Sequence, residues 1–511
     1  MSRDTWDPWD LVVVGGGTAG IVGAKTAARL GARVLLVERE RTGGDCLWTG
    51  CVPSKSLLAA ASAAATARGS AHLGVRTDAV SVDFGAVMRH VRGAIEHIAP
   101  VDSPEALEDE GVTVWRGEAR FLDRHRLVVS AHERDHREVR FHQALLATGA
   151  APAVPAIPGL HEVDHLTTET VWDLTELPSR LVVLGGGSVG CELGQAFARL
   201  GGPDDPDHTV AVVEGAARLL PREEADAARA VTASLEADGV DVVVGAEVTK
   251  VVPDAPGAGT GGCLQLADGS TVPFSHLLVA VGRSPRTSDL GLEAAGVEVD
   301  ERGFVRVDDR LRTTNPLITA AGDLTGHPQF THTAGVHGSL AASNAVLGVA
   351  RKVDLTAVPR VTYTDPEVAA VGVDRVSDPG GSGGPRGTDG DGDALREITW
   401  HHDHVDRAVA EGRTGGYTRI RIDRRGRVLG ATVVGPRAGE TIGELTLAVS
   451  QGLRTRDLAG VIHPYPTWND GAWNAAISDV RDSLTRPTTR RALGALAAGR
   501  RWWVGRRSDL S

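Results

Sequence analysis

The sequence predicts an α/β protein with two Rossmann-like dinucleotide-binding domains of the three-layer ββα type, followed by an α+β domain. Three observations lead to this prediction. The chain has 511 residues, more than one hydrophobic core usually supports, so about two to four domains are expected. A glycine-rich turn between an apolar strand and a helix occurs twice, at residues 15–20 and 185–190. Beyond residue 357, alternating apolar and polar residues are typical of antiparallel strands.

The first glycine turn lies in a complete βαβ pattern. A short apolar strand precedes Gly15, Gly17 and Gly20, a helical stretch follows, and a second apolar strand ends at Glu38. In such a unit the first glycine permits a tight bend, the second lets the backbone approach a pyrophosphate, and the third lets the helix pack on the strand. We expect Glu38 to accept hydrogen bonds from an adenosine ribose; the alternative is a solvated glutamate after a strand.

The second glycine turn repeats the pattern. Gly185, Gly187 and Gly190 follow an apolar strand, and the next strand ends at Glu214. A carboxylate at that position would repel a 2′-phosphate, so Glu214 favours NADH over NADPH. Arg218 lies close enough in sequence to weaken this preference, and a solvated glutamate is again the alternative. Two complete patterns predict two dinucleotide sites in one chain.

Cys46 and Cys51 are the strongest functional signal in the sequence. On a straight helix five residues advance about 7.5 Å, beyond the roughly 7 Å that a disulfide allows between Cα atoms. A bridge therefore requires a bent backbone, which Gly50 and Pro53 favour. Strained or exposed disulfides are the ones that cycle between oxidation states. The alternative is a pair of buried structural thiols.

The segment from residue 43 to 55, with its Gly-Gly-Asp-Cys opening, resembles the redox motif of class I pyridine nucleotide-disulfide oxidoreductases. The resemblance extends to about residue 480 and is greatest for the mercuric-reductase-like branch. It implies FAD and a nicotinamide as cofactors. By this resemblance Cys51 would lie against the flavin as the charge-transfer thiolate, and Cys46 would face the substrate as the interchange thiol. Lys55 would pair with Glu192 near flavin N5.

The resemblance assigns further residues to the cofactors. Thr148 and Gly149 match an Ala-Thr-Gly turn, Asp323 matches an aspartate that binds the ribityl chain, and residues 329–332 would begin a helix beneath the isoalloxazine. The additional FAD-binding residues are Gly44, Ala119, Thr148, Gly149, Asp323, Gln329 and His332, and Gly282 joins the NAD site. Cys191 and Cys263 match no redox position and are expected to be inert. No resident metal site is predicted.

Four regions are predicted from the strand patterns, the proline-rich crossing near residue 151, the arginine-rich C-terminal stretch and the resemblance. They are a discontinuous FAD-binding domain at residues 1–158 and 283–350, an NAD(P)-binding domain at 159–282, a dimerisation domain at 357–480 and a basic extension at 481–511. A homodimer is implied by the third region. Three inserts rich in Gly, Pro and Asp, at residues 201–208, 253–262 and 378–393, are predicted to be surface loops, the last of them disordered.

One motif departs from the family pattern. Near the end of the dimerisation domain the family usually has His-x-His-Pro-Thr-x-x-Glu, in which the second histidine is the acid-base. Here the segment contains His463, Tyr465 and Asp470. A tyrosine side chain has a pKa of about 10, so it is a poor proton acceptor at neutral pH compared with histidine, whose pKa is about 6.5. His463 could substitute, since residues two apart in an extended segment point the same way, or it could be a packing histidine; Asp470 could orient a partner.

The predicted function is transfer of electrons from NADH through FAD to the Cys46–Cys51 disulfide and on to a disulfide, metal ion or other acceptor. Loss of a positioned general base lowers the rate of such a reaction about 10²- to 10⁴-fold, which disfavours lipoamide and glutathione disulfide as substrates. Mercuric reductases also carry tyrosine there, and soft metal ions prefer thiolates. No cysteine follows Cys263, however, so the mercury enzyme's C-terminal cysteine pair is missing. Dihydrolipoyl dehydrogenase, a direct flavin quinone reductase (diaphorase) and a non-enzymatic redox-sensing flavoprotein are the alternatives.

Charge limits the range of partners. The net charge of −12 is spread along the chain, which argues against nucleic acid. No apolar run approaches the roughly 18 residues of a membrane span, so a cytoplasmic protein is expected. The exception is the arginine-rich stretch from residue 481 to 507, around a short Ala/Leu helix. We expect this extension to be solvated or packed in the dimer, in preference to resting on an anionic membrane, because its apolar face is short.

Overall fold

A computed structural model describes most of the chain. The described residues are 7–132, 135–203, 205–254, 261–373 and 395–508. The predicted loop at 378–393 and most of the insert at 253–262 lie outside them. The chain divides into two units, the first formed by Met1–Pro221 and Thr232–Asp354 and the second by Arg222–Val231 and Leu355–Ser511.

The described residues of the first unit form sixteen strands and eight complete helices, together with the end of a ninth helix. Its strands are β1 (Trp9–Val14), β2 (Val34–Glu38), β3 (Val112–Arg116), β4 (Glu118–Phe121), β5 (Arg126–His132), β6 (Asp135–Leu146), β7 (Ala150–Pro152), β8 (Arg180–Leu184), β9 (Thr209–Glu214), β10 (Val240–Val244), β11 (Val248–Pro253), β12 (Gly262–Leu266), β13 (Thr271–Phe274), β14 (His276–Val279), β15 (Arg283–Pro285) and β16 (Ile318–Ala320). Its helices are α1 (Thr18–Arg29), α2 (Gly44–Trp48), α3 (Cys51–Gly69), α4 (Phe84–Ile98), α5 (Pro104–Asp109), α6 (Ser188–Gly201), α7 (Ala225–Ala237), α8 (Leu292–Ala295) and α9 (Thr331–Leu347). The start of α7 belongs to the second unit.

A large sheet of order β3-β2-β1-β6-β5-β4 contains the two strands that flank the first glycine turn and its helix. Strands β1, β2, β3, β6 and β16 pair in parallel, whereas β4, β5 and β6 form an antiparallel meander. Side chains of α1 and α9 share one hydrophobic core with the parallel strands, and the meander shares a second core on the other face. Burial on both faces explains why the central strands read as continuous apolar runs. The predicted ββα layering is confirmed.

A second parallel sheet of order β10-β9-β8-β14 contains the strands before and after the second glycine turn. The antiparallel strands β11, β12 and β13 share its core. The two crossings between these domains are adjacent, because β7 leaves and β15 returns as an antiparallel pair, with Ala150 opposite Pro285. Arg283 of β15 also pairs with Asp45, so the return crossing lies beside the redox segment.

The second unit has the predicted α+β architecture. Its elements are β17 (Arg360–Thr362), β18 (Glu367–Gly372), β19 (Arg396–His401), α10 (Asp406–Ala410), β20 (Tyr417–Ile422), β21 (Val428–Gly435), α11 (Ala438–Gln451), α12 (Thr455–Ala459), α13 (Asp470–Thr485) and α14 (Pro487–Ser508). The strands form one antiparallel sheet of order β17-β18-β21-β20-β19. Helices α11 and α13 bury their apolar side chains against it. The four predicted domain boundaries stay predictions, and α13 continues past residue 480.

The C-terminal extension differs from the short helix that we predicted. It contains α14, which is 22 residues long. Pro487 occupies the first turn, where a missing N–H is tolerated, and no proline follows it in the helix. Alanine, leucine and arginine are strong helix formers, which explains the length. Over the part of the chain that the structure describes, no helix is both long and apolar enough to cross a bilayer.

Candidate active site

The cysteine pair lies at a break between two helices. Helix α2 contains Cys46 and ends at Trp48, and α3 begins at Cys51. A Cβ atom at Gly50 would lie 2.8 Å from the carbonyl oxygen of Asp45, so only glycine fits there without displacing the backbone. The break supplies the bend that the five-residue spacing requires.

The two thiols interact directly. Both are free cysteines, and Cys46 donates a hydrogen bond to Cys51. This bond lowers the pKa of Cys51 to about 6; partial burial opposes the shift, whereas the hydroxyl of Thr331 and the positive charge of Lys55 add to it. The same bond, with burial and the neighbouring charge, raises the pKa of Cys46 far above the usual thiol range. Cys51 therefore loses its proton first and Cys46 keeps one.

Thr331 is a residue of this site that the sequence analysis missed. Its Oγ1 lies 3.3 Å from the sulfur of Cys51. Thr331 is the first residue of α9, so the positive end of that helix faces the same sulfur. The helix was expected to begin among residues 329–332, but no motif indicated that one hydroxyl of its first turn would reach a cysteine.

Lys55 and Glu192 form the ion pair that the resemblance implied. Lys55 Nζ lies 2.8 Å from Glu192 Oε2. Lys55 is on α3 and Glu192, which is buried, is on α6. Helices α3 and α6 pack together, so the pair fixes a cation close to Cys51.

The first glycine turn has the shape of a phosphate cradle. Gly15 has φ +106°, and a Cβ there would lie 2.4 Å from the Ala147 carbonyl oxygen. A Cβ at Gly20 would lie 1.9 Å from the Gly15 carbonyl oxygen, so α1 packs directly on the turn. At Gly17 the nearest neighbour of a Cβ would be Gly44 Cα at 3.8 Å. The open space at the middle glycine and the N-terminus of α1 fit the pyrophosphate of FAD.

The second glycine turn has the same construction. Gly185 has φ +114°, and a Cβ there would lie 2.6 Å from the Ala280 carbonyl oxygen. A Cβ at Gly190 would lie 1.9 Å from Gly185 O, whereas a Cβ at Gly187 would meet nothing within 4 Å. Gly282 has φ +135°, and it too has no close neighbour where a Cβ would stand. The residues fit a second dinucleotide.

Both acidic residues at the strand ends bond to their own glycine turns. Glu38 Oε2 accepts a hydrogen bond of 2.6 Å from the Gly16 amide, and Glu214 Oε2 accepts one of 2.7 Å from the Gly186 amide. The other oxygen of each carboxylate accepts from the backbone amide two residues further along. A carboxylate has about four lone-pair positions, so each can still bind a ribose hydroxyl.

The remaining predicted flavin residues lie around the return crossing and the start of α9. Ala119 is in β4. Thr148, which precedes Gly149 in the chain, donates a 2.7 Å hydrogen bond from its Oγ1 to the Arg286 carbonyl oxygen. Gln329 Nε2 donates to the Asp323 carbonyl at 3.2 Å. The His332 ring stacks on Phe330 with 5.1 Å between ring centroids.

An ion-pair cluster next to Cys46 was not predicted from the sequence. Asp45 pairs with Arg283 and with Arg286, whose Nη1 lies 3.4 Å from Asp45 Oδ1. Arg286 also pairs with Glu169, and Arg283 Nε lies 3.2 Å from Asp323 Oδ2. Burial raises the pKa of Asp323, and the charge of Arg283 opposes that rise. The cluster connects the residue before Cys46 to the predicted ribityl-binding aspartate.

In the second unit, both ring nitrogens of His463 lie within hydrogen-bonding distance of an oxygen atom. Its Nε2 lies 2.8 Å from Glu444 Oε1 and its Nδ1 lies 3.0 Å from the Val461 carbonyl oxygen. Both partners are hydrogen-bond acceptors, and a neutral ring can donate to only one of them. The ring also stacks on Trp473, with 5.6 Å between centroids. Glu444 was missed because it lies on α11, 19 residues earlier.

Tyr465 and Asp470 also differ from the arrangement that we considered. Tyr465 is 69% exposed and donates a hydrogen bond to Asp406, which raises the tyrosine pKa. Asp470 is buried and accepts a 3.3 Å hydrogen bond from the Thr467 amide. Asp470 therefore orients the turn before α13, and Glu444 is the carboxylate that orients His463.

The other cysteines have environments of inert thiols. Cys191 is fully buried, and burial raises its pKa to about 12. Its sulfur lies 3.4 Å from the Gly186 carbonyl oxygen, to which it donates. Cys263 lies on β12, away from the helix break.

Comparison with known proteins agrees with this geometry. The pyridine nucleotide-disulphide oxidoreductase family matches residues 9–338, and the dimerisation domain of that family matches residues 387–476. The chain is 37% identical to a mercuric reductase of Streptomyces lividans, over 90% of this chain and 94% of that protein. It is 32% identical to a dihydrolipoyl dehydrogenase of Geobacillus stearothermophilus, over 91% of this chain and 95% of that one.

Two solved structures extend the comparison. LpdA of Mycobacterium tuberculosis superposes with a TM-score of 0.81 and 29% identity, covering 92% of this chain and 99% of its own. The Cu(II) complex of the HOCl-induced flavoprotein disulfide reductase RclA of Escherichia coli superposes with a TM-score of 0.79 and 27% identity. The match covers 93% of this chain and 100% of that one. The chain therefore belongs to the class I pyridine nucleotide-disulphide oxidoreductases and is a flavoprotein enzyme that passes electrons from NAD(P)H through FAD and a redox-active disulfide to an acceptor.

Proposed function

We propose that this enzyme is an NADH-dependent reductase of thiolate-binding metal ions such as Cu(II) and Hg(II), which acts through Cys46 and Cys51. The observation that carries the proposal is the lowered pKa of Cys51, about 6, which supplies a thiolate at neutral pH without a separate base. Soft metal ions bind thiolates, and their capture needs no proton delivered to the acceptor. A homodimer in the cytoplasm is part of the proposal.

The proposed cycle balances with the residues present. When bound, FAD carries the electron pair between the nicotinamide and the disulfide. Two electrons from NADH break the Cys46–Cys51 bond. This reduction leaves Cys51 as the thiolate and Cys46 as the protonated thiol. Two Cu(II) ions then take one electron each, the disulfide re-forms, and the Cys46 proton is released with two Cu(I). For Hg(II) the two sulfurs bind the ion, and a single ion takes both electrons and leaves as Hg(0) while the disulfide re-forms and the Cys46 proton is released.

Reduction of a disulfide substrate is the second candidate, since the chain is similar to a dihydrolipoyl dehydrogenase. That reaction needs protons to be moved to and from two substrate sulfurs. The family's acid-base position is Tyr465, whose pKa is raised by Asp406. Both nitrogens of His463 already bond to Glu444 and to a backbone carbonyl. These contacts favour a metal acceptor over a disulfide.

The preference for NADH rests on Glu214 and on the contacts of Arg218. The Arg218 guanidinium donates to the carbonyl oxygens of Leu220 at 2.7 Å and Pro221 at 3.0 Å. An arginine bound to its own backbone is less able to receive a 2′-phosphate, and Glu214 would repel one. We expect Glu214→Ala to improve turnover with NADPH, and Arg218→Ala to leave the NADH to NADPH ratio unchanged.

A steady-state screen of the purified flavoprotein tests the proposal. NADH and NADPH are each paired with Cu(II), Hg(II), lipoamide, glutathione disulfide and a quinone. Metal-ion turnover should be lost in Cys46→Ser and Cys51→Ser and kept in the control Cys263→Ser. Quinone turnover that survives both substitutions identifies direct flavin chemistry. Fast lipoamide turnover without metal-ion turnover would contradict the proposal and assign the chain to the second candidate.

A further inference from the structure

Helix α14 carries a charge opposite to that of the whole chain. Seven arginines and no aspartate or glutamate occur between residues 486 and 508, although the chain has a net charge of −12. Six of these arginines belong to α14 itself, so this helix is strongly cationic. A cationic helix on an acidic protein favours an anionic partner over a neutral one.

The same helix exposes large apolar side chains. Leu496 is 71% exposed and Trp502 is 62% exposed. At 100° per residue, Leu493, Leu496, Trp503 and Val504 lie within about 100° of the helix circumference. All four are exposed in the second unit. Arg500 falls on the same arc and Trp502 lies on the opposite side of the helix, so the four residues form an apolar stripe that a guanidinium interrupts.

Arginines accompany both tryptophans. The Arg500 guanidinium lies 4.4 Å from the ring centroid of Trp503, and that of Arg506 lies 4.5 Å from the ring of Trp502. Each indole thus has one face covered by a cation, while the arginine stem extends along the apolar surface. Indole rings with neighbouring guanidinium groups are typical of segments that lie at a headgroup boundary.

We propose that α14 binds in the plane of an anionic lipid surface. The leucine, valine and tryptophan side chains of the stripe enter the headgroup boundary, and the arginines bond to lipid phosphates. This replaces our expectation of a solvated or dimer-packed extension, which depended on a short apolar face. The proposal is independent of the identity of the electron acceptor.

Two other occupants fit the observations less well. Nucleic acid would use the arginines, but it offers no apolar surface to Leu493, Leu496 and Val504, and guanidinium groups already cover one face of each indole. A second copy of the chain would use the dimerisation domain, whose match ends at residue 476, before α14 begins. The lipid surface uses both the charge and the apolar stripe.

Vesicle co-sedimentation of the full-length flavoprotein tests the proposal. We expect binding to vesicles of equal parts phosphatidylglycerol and phosphatidylcholine, little binding to phosphatidylcholine alone, and weakening by salt. Each arginine near an anionic surface contributes about fivefold to partitioning. A variant with Arg490, Arg491, Arg500 and Arg501 all changed to Gln should therefore bind about 600-fold more weakly. The matched variant with Lys at the same four positions should keep most of the binding.

Further variants and readouts separate the outcomes. Trp502→Ala with Trp503→Ala should weaken binding while the charge is unchanged. The flavin spectrum and NADH-dependent quinone reduction show that each variant is folded. Equal binding to neutral and anionic vesicles, or an unchanged affinity in the Gln variant, overturns the proposal. Tighter binding to duplex DNA than to vesicles at the same salt would assign the helix to nucleic acid. Dissociation of the oligomer in the Gln variant would assign it to a second copy.

Discussion

Cys51 keeps a negative charge near neutral pH because its neighbours stabilise the thiolate. Cys46 donates to it, Thr331 lies within hydrogen-bonding distance, and Lys55 adds a positive charge. The pKa of about 6 lies below the reference value of 9.0. The thiolate is therefore present above about pH 6 and is lost as the pH falls through that value. Metal capture by the reduced enzyme should decline over the same range.

Replacement of Thr331 by Val should raise the pKa of Cys51. The substitution removes the hydroxyl next to the sulfur and keeps the size and branching of the side chain. A hydrogen bond to a charged group contributes about 1.5–3 kcal/mol, and the exposure of Cys51 reduces this, so we expect a shift of about one pKa unit. The measurement is a pH titration of the long-wavelength absorbance of the reduced flavoprotein.

Two controls accompany that titration. Thr331→Ser keeps a hydroxyl and should leave the midpoint within a few tenths of a unit. Cys46→Ala removes the largest stabilising contact and should give a larger upward shift than Thr331→Val. An unchanged midpoint in Thr331→Val would mean that this hydroxyl does not stabilise the thiolate.

At the scale of elements, the break between α2 and α3 determines whether the two sulfurs can meet. We expect Gly50→Ala to open the break, because the new Cβ would lie 2.8 Å from the backbone oxygen of Asp45. Backbone atoms cannot move aside as a flexible side chain can, so the cysteines should separate and the disulfide should form more slowly. Free thiols counted after oxidation, with and without denaturant, measure this. Gly494→Ala, on α14 with open space at its Cβ, is the control. Complete disulfide formation at the normal rate would contradict the prediction.

The ion pairs of Arg283, in β15, and of Arg286, directly after it, should hold α2 in position. Arg286→Gln removes one of the two arginines that pair with Asp45, as well as the pair with Glu169. These side chains are about one third exposed, so we expect a modest effect, about three- to tenfold slower turnover through the disulfide, with quinone reduction unchanged. Rapid-mixing reduction by NADH followed by acceptor addition separates the two steps. Arg89→Gln, in an exposed pair with Asp83, is the matched control. Equal losses in quinone and disulfide-dependent turnover would point to a general loss of flavin binding.

Sequence predicts the elements whose signal is local and misses those that depend on distant partners. The glycine turns and the bend at Gly50 follow from spacing within a few residues, and the fold class follows from them. The contact of Asp45 with Arg283 joins residues 238 positions apart, and that of Cys51 with Thr331 joins residues 280 apart. No local pattern encodes such pairs. For the same reason Glu444 was missed and Asp470 was considered in its place.

At the scale of the whole molecule, a buried charge network attaches the start of α7 to the sheet of the second unit. Arg421, on β20, is fully buried and pairs with Glu224 and with Glu397 at 3.0 Å. Arg419 pairs with Asp226 at 3.0 Å, and further contacts join Arg360 to the neighbouring Glu223. Burial lowers the pKa of Arg421 to about 10, so its charge persists at neutral pH. Residues 222–231 thus belong to the second unit, whereas the residues directly before and after them belong to the first.

Removal of the central cation should destabilise the second unit strongly. Arg421→Met keeps the volume but leaves Glu224 and Glu397 without their shared buried partner, and breaking a buried pair in this way costs about 3–5 kcal/mol. Chemical denaturation followed by tryptophan fluorescence measures the loss. Arg456→Met, in an exposed pair with Asp457, should cost less than about 1 kcal/mol. Adding Glu224→Gln to Arg421→Met should recover part of the stability, because it neutralises a buried carboxylate that would keep only Arg419 as a cationic partner. A cost for Arg421→Met no larger than that of the exposed control would show that the carboxylates accept protons or water in place of the arginine.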